Sequence, residues 1–316
     1  MKETSLKTGR TLNRGFILRL FGSLVSIGLL VYLIQAEGWG EFRNILSYVP
    51  WYIFLAGFGI ILLSRVSVTL RWLVLLRFAK ARITFWQAFR LMFMGNFASN
   101  FLPSTVGGDV VRLAGLVGIG VEGGVGAASL VLDRLVGMAG MASIGPYGLY
   151  LISRQAVAGD PRSYAGMGLL AGLERVPGFR WVYQKSERFI RSLLSSSIGW
   201  FRRPESLLLA LLCTYGHMLF SFLNILLLLR TMHQTISFVT IAALWSLSYF
   251  VALIPVSING LGLQEVSITM LYSRFGGVSM EAALALAIMI RVLFLLASLP
   301  GALFLPEILQ PLAKRT

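Results

Sequence analysis

The chain has 316 residues, 56% hydrophobic and only 13% charged, with a mean hydropathy of +0.77. Soluble domains carry about 25% charged residues, so a soluble globular fold is excluded and an all-α polytopic membrane protein is expected. The net charge of +15 comes from basic residues clustered between apolar stretches, where they set topology and meet anionic lipid rather than nucleic acid.

Spans read as apolar stretches of roughly 20 residues with polar flanks. Lys2, Lys7, Arg10, Arg14 and Arg19 lead into a first span, Leu20–Ala36. It ends in Gln35-Ala36-Glu37-Gly38 without a cleavage signature, so a retained helix is expected rather than a signal peptide. The second span, Trp51–Leu76, carries Arg65 and Arg71, which are six apart and do not share a narrow face; Arg71 is expected to snorkel to the interface. The third, Phe85–Leu102, breaks at Pro103, where the chain reads Pro103-Ser104-Thr105-Val106-Gly107-Gly108-Asp109-Val110-Val111-Arg112. Irregular backbone at membrane depth survives only where it is buried in protein or lines a cavity, and a broken helix with charges points to a binding or transport site. Asp109–Ile119 then reads as a half-helix, and the fourth span, Val125–Ile152, contains Asp133-Arg134.

Ser153 to Glu205 is long and basic, with Phe179, Tyr183, Phe189, Ile190, Leu193 and Leu194 spaced for an amphipathic helix on the membrane surface. Ser206–Leu229 follows, with His217, Ser221 and Asn224 at i, i+4, i+7, a stripe that usually glues helices together. Phe238–Ile254 leads to a second break, Pro255-Val256-Ser257-Ile258-Asn259-Gly260-Leu261-Gly262-Leu263-Gln264-Glu265, before a last span from Ala282 to Leu305. One cysteine, Cys213, and two histidines, His217 and His233, give no disulfide framework or zinc site, and no metal or cofactor is expected.

Lysine and arginine fix the expected orientation. If the third span crosses fully, the N-terminal tail, the Arg77-Lys80-Arg82 hinge and the 153–205 loop all face the cytoplasm. That gives seven spans in the cytoplasmic membrane and an outside C-terminus, against which Lys314-Arg315 argues. If the Phe85–Ile119 region is re-entrant, the long basic loop lands outside.

The two breaks align. Pro103 meets Pro255, Thr105 meets Ser257, Val106 meets Ile258 and Gly108 meets Gly260; an acid follows in each, Asp109 or Glu265, and then an arginine in the next span, Arg134 or Arg291. The unit of helix, broken helix and charged helix is read twice, over 51–152 and 206–305. Three crossings per unit place the copies in opposite orientation, the plan of transporters with a site between inverted repeats.

Asp109 and Arg112 share a helical face. Gly107 and Gly108 leave backbone N–H groups at a half-helix start that attracts a lipid phosphate; the competing reading is that Asp109 caps the half-helix. Arg134 and Arg291 are phosphate-contact candidates because a guanidinium fork suits phosphate oxygens. The opposing reading is internal pairing, Asp133 or Asp109 with Arg134 and Glu265 with Arg291. Asn259, Gly260 and Glu265 complete the second half of the expected site, with Pro103 and Pro255 as structural breaks. Asn96 and Asn100 lead into the first break and are expected to bond backbone freed there. No HExxH, Walker loop or GxSxG is present, so an enzyme is not expected.

The strings NFLPSTVGGDVVR (Asn100 to Arg112, with Phe97 just before) and IPVSINGLGLQE (Ile254–Glu265), with ASLVLDRLVG (Ala128–Gly137) and the pattern of Arg71, Trp72, Leu75 and Leu76, resemble the lysylphosphatidylglycerol synthase transmembrane, or flippase-like, family. The resemblance covers nearly the whole chain. It implies the flippase half of the bacterial multiple-peptide-resistance protein, which moves aminoacylated phosphatidylglycerol outward, and some members are linked to polyprenyl-linked lipids. A synthase domain is not expected after Thr316. The function expected is a flippase or transporter of a phosphate-bearing lipid, with a non-transporting scaffold for a lipid-modifying enzyme as alternative and a lipid transferase third. Expected partners are anionic or zwitterionic phospholipid or polyprenyl lipid; a lipid-synthesising enzyme and a second copy of the chain are compatible with the reading.

Overall fold

A computed structural model of the chain describes residues 47–102, 107–157, 204–254 and 258–304, with a few single positions before 47. Pro103, Pro255, nearly all of the first span and most of the 153–205 loop lie outside the described residues. These form eight α-helices: α1 (Trp51–Phe78), α2 (Phe85–Ser99), α3 (Gly107–Gly118), α4 (Gly123–Val157), α5 (Pro204–Thr231), α6 (Phe238–Ala252), α7 (Leu263–Phe275) and α8 (Met280–Ser298), with a short 3₁₀ turn at Ile258–Gly260. Among the described residues, four helical stretches are long and apolar enough to cross a membrane: Trp51–Phe78, Gly123–Arg154, Pro204–Thr231 and Met280–Phe304. The chain is a multi-pass membrane protein.

Local chemistry sets the ends. Thr84 and Gln87 form a reciprocal capping box at the start of α2, and Ser237 and Ser279 accept the N–H groups of Thr240 and Ala282 to start α6 and α8. The helices α1 and α5 are both 28 residues long, and α2 and α6 are both 15. The ends of α1 and α5 turn on left-handed residues, Lys80 at φ 62° and His233 at φ 57°. The amide N–H of Ala81 then reaches Leu76 O at 3.0 Å, and that of Gln234 reaches Leu229 O at 2.9 Å, the six-to-one bond of a Schellman ending.

The long helices α1 and α5 cross antiparallel through small and polar residues. A Cβ on Gly57 would lie 2.7 Å from Asn224 Oδ1. Ser64 Oγ is 2.6 Å from His217 Nδ1 and 3.4 Å from Ser221 Oγ, and Leu75 shares a core with Ala210. The stripe on α5 thus glues helices, as its spacing suggests. Helix α4 runs parallel to α5. Leu132 and Val136 pack with Ala210, Gly140 faces Thr214 and Met218, and Tyr215 donates to Ser143.

At 1.5 Å per residue, α2 and α3 are roughly 23 and 18 Å long, too short to cross a core of about 30 Å. They fold back on each other: a Cβ on Gly108 would lie 2.4 Å from Gly95 O, and one on Gly95 would lie 2.7 Å from Arg112 Cγ. The arms α6 and α7 do the same, with Tyr272 Oη donating to Ile241 O at 3.1 Å. The re-entrant alternative therefore replaces the preferred full crossing of Phe85–Leu102. The α2–α3 hairpin enters from the end of the bundle that carries Arg77, Lys80 and Arg82. The α6–α7 hairpin enters from the other end, where Val49 and Ile53 pack in one core with Met232, Ile236 and Val278.

Two topological expectations change with it. Because α4 and α5 run parallel, the end of α4 and the start of α5 lie at opposite ends of the bundle, so the two ends of the basic loop do not meet one face. Phe304 packs beside Arg90, 5.5 Å from the guanidinium to the ring centre, and with the core holding Ile83 and Phe85. The last span thus ends on the face of the Arg77–Arg82 hinge, not opposite to it.

Candidate functional site

The hairpin tips approach from opposite ends and touch. Asn259 Nδ2 donates to Asn100 Oδ1 at 3.2 Å, and Asn100 Nδ2 donates to Ser298 Oγ on α8 at 2.8 Å. Asn100 therefore bonds the other tip and α8 rather than freed backbone. The second tip bends through three left-handed residues, Asn259 (φ 49°), Gly260 (φ 68°) and Gly262 (φ 78°); glycine takes that region freely, and Asn is the side chain that tolerates it best.

Between the tips and the long helices lies a cavity of about 350 Å³. Five arginines line it: Arg65 and Arg71 from α1, Arg112 from α3, Arg134 from α4 and Arg291 from α8. Two aspartates, Asp109 and Asp133, share the wall, together with Asn96, Asn100, Asn259 and Tyr249. A guanidinium at membrane depth costs at least about 2.5 kcal/mol unless it is paired or hydrated, and most of these are paired.

In the first half the pairs form one chain. Arg71 Nε donates to Asp133 Oδ1 at 2.7 Å, and Arg112 Nη2 donates to Asp133 Oδ2 at 3.2 Å. Arg112 Nη1 donates to Asp109 Oδ1 at 3.2 Å, and Arg134 Nε donates to Asp109 Oδ2 at 2.5 Å. The Arg112 guanidinium also lies 4.0 Å from the centre of the buried Trp72 ring, a favourable cation–π stack. In the second half Arg291 Nε donates to Glu265, and its Nη1 and Nη2 reach the carbonyls of Asn259 (3.4 Å) and Gly260 (3.3 Å). Glu265 also accepts the N–H of Gly262 at 2.7 Å, so it caps α7 and pairs at once.

Most of the residues expected from sequence come together here. Asp109 with Arg134 and Glu265 with Arg291 are the internal pairs. Both oxygens of Asp109 are taken by guanidiniums. Gly108 lines the cavity, yet it and Gly107 serve the hairpin's close packing: a Cβ on Gly107 would lie 2.5 Å from Leu102 Cβ.

Arg71 is a correction. It does not snorkel to an interface; it is buried in the cavity wall against Asp133. The opposite charge sits on α4, and nothing local in the second span reveals it. Asp133, one of the two partners the sequence offers Arg134, instead accepts from Arg71 and Arg112 and is the hub of the chain of pairs. Arg65, which the sequence places off the narrow face of Arg71, also lines the cavity. Among the described residues, three buried side-chain atoms have no hydrogen-bond partner: Asn96 Nδ2, Arg112 Nε and Asn224 Oδ1. Among the described residues, no group of three or more His, Cys, Asp or Glu is placed to hold a metal ion. The wall presents guanidinium donors to any anion that enters the cavity.

The family model described as the lysylphosphatidylglycerol synthase TM region matches residues 19–301. A search of curated proteins finds no match.

Proposed function

The chain belongs to the lysylphosphatidylglycerol synthase transmembrane family, which gives it a membrane lipid-related role, and from that premise we propose that it is a lipid flippase. It would move a phosphate-bearing lipid between leaflets of the cytoplasmic membrane, with the Arg77–Arg82 end on the cytoplasmic side. The observation that carries the reading is the arginine-lined cavity closed by two hairpin tips that enter from opposite ends of the bundle. The two halves, α1–α4 and α5–α8, are read as inverted repeats, so each hairpin screens the cavity from one side.

In this mechanism a lipid phosphate enters beside one tip while its tails remain in the bilayer. It competes with Asp109 for Arg134, whose side chain is 37% exposed, and with the Asn259 and Gly260 carbonyls for the Nη groups of Arg291. Those two carbonyl contacts, at 3.3 and 3.4 Å, are long for charge-assisted bonds, so a phosphate oxygen can replace them at little cost. The Asn100–Asn259 bond then breaks and re-forms as the lipid passes. Glu265 and Asp109 restore the pairs when it leaves.

The test is leaflet exchange of labelled lipid in proteoliposomes. Wild-type protein accelerates it, and Arg134→Ala and Arg291→Ala each slow it by about tenfold, the loss expected for one charge-assisted contact. Unchanged rates in both variants would sink the charge mechanism. No acceleration by pure wild-type protein would favour the scaffold reading instead.

A further inference from the structure

We infer that the cavity takes a lipid phosphate of net negative charge, gripped by the Arg65 guanidinium, and turns away head groups that bear an ammonium. The inference rests on the lipid-transport reading of the same cavity and narrows its cargo.

Arg65 lies near the middle of α1 and lines the cavity. Its guanidinium carbon sits 4.9 Å from the centre of the Phe294 ring, and no carboxylate among the described residues pairs with it. The other four guanidiniums share three carboxylates. Every oxygen of those carboxylates already accepts a bond: Asp133 from Arg71 and Arg112, Asp109 from Arg112 and Arg134, and Glu265 from Arg291 and the Gly262 N–H. Among the described residues five guanidiniums stand against three carboxylates, an excess of two positive charges.

A phosphate is an acceptor-only group, and two orphaned elements of the wall ask for one. The first is Arg65, with a planar fork and no counter-charge. The second is Asn96 Nδ2, a buried donor with no partner on the same wall. An aminoacyl head group brings an ammonium, which finds no free carboxylate among the described residues. It would stand among like charges where the low dielectric magnifies repulsion. The same chemistry would accept free phosphate, so the experiment must separate the two sources.

The full chain is placed in nanodiscs containing equal amounts of phosphatidylglycerol, its lysyl ester and phosphatidylcholine, and retained lipid is measured by native mass spectrometry. Phosphatidylglycerol is expected to exceed the lysyl ester by about tenfold or more relative to the bulk mixture. Arg65→Gln erases that preference and Arg65→Lys, which keeps the charge, retains most of it. Should Arg65→Gln not fold, the wild-type ratio and the Arg65→Lys variant decide the matter. Equal or greater retention of the lysyl ester, or an unchanged ratio in Arg65→Gln, overturns the inference. Binding of inorganic phosphate without any lipid preference overturns it too, by making the site one for free phosphate. Leaflet exchange separates the two readings. Selective retention without exchange removes the transport function alone, whereas exchange of all three lipids at one rate removes this inference alone.

Discussion

Replacing Asp133 with Ala should be among the most destabilising single changes in the molecule. Asp133 is 3% exposed and neutralises two guanidiniums that are themselves buried, Arg71 at 7% and Arg112 at 6%. In its absence Arg112 keeps Asp109, but Arg71 is left with one 3.4 Å bond to Thr214. Removing one partner of a buried ion pair costs about 3–5 kcal/mol, because the other charge stays desolvated. At 2–4 °C per kcal/mol this is a fall of roughly 6–20 °C in the thermal midpoint. Tryptophan fluorescence of detergent-purified protein reports it, since Trp72 is fully buried beneath Arg112. The double change Arg71→Met with Asp133→Leu removes both charges and leaves the Arg112–Asp109 pair in place. It should therefore cost less than Asp133→Ala alone, since apolar residues often replace a buried pair at little or no loss. An Asp133→Ala midpoint within about 2 °C of wild type, less than 1 kcal/mol by the same conversion, would refute the reasoning. So would a double variant worse than the single.

Two further outcomes test the hairpins and the topology. Gly108→Ala should cost about 1–3 kcal/mol from overpacking, because its Cβ would lie 2.1 Å from Ser99 Oγ and 2.4 Å from a backbone oxygen of the facing arm. Gly118→Ala, where a Cβ meets nothing within 4 Å, should be neutral or stabilising by up to about 1 kcal/mol; melting curves of the pair compare them directly. With Cys213 changed to Ser, cysteines placed by Lys80→Cys and His233→Cys should react with an impermeant maleimide from opposite sides of the membrane, and labelling of both from one side would break the proposed arrangement of the two halves.

The fold was legible where periodicity and punctuation are local. The four long apolar helices, the starts at Phe85 and Phe238 and the two breaks follow from runs of apolar residues interrupted by Pro, Gly and short polar side chains. The re-entrant path was not legible, because a 15-residue apolar helix followed by a break reads alike whether the chain continues across or turns back. What decides it is the contact of Gly95 with Gly108 and Arg112, which depends on side chains too small to leave a hydrophobic pattern. In the site, the acid-then-arginine spacing did lead to Asp109–Arg134 and Glu265–Arg291. The Arg71–Asp133 pair joins helices 62 residues apart in sequence, beyond any spacing rule, and so Arg71 looked like an interfacial residue.

The antiparallel crossing of α1 and α5 also constrains how the protein can be made. When α1 leaves the ribosome it carries Arg65 and Arg71 on a long apolar helix, yet the carboxylate for Arg71 is 62 residues away and the partner of Ser64, His217, is 153 residues away. Each central arginine weakens insertion by about 2.5–3.5 kcal/mol until it is satisfied. Part of the stability of α1 in the membrane therefore waits on α4, and then α5, which bring Asp133 and His217 to it.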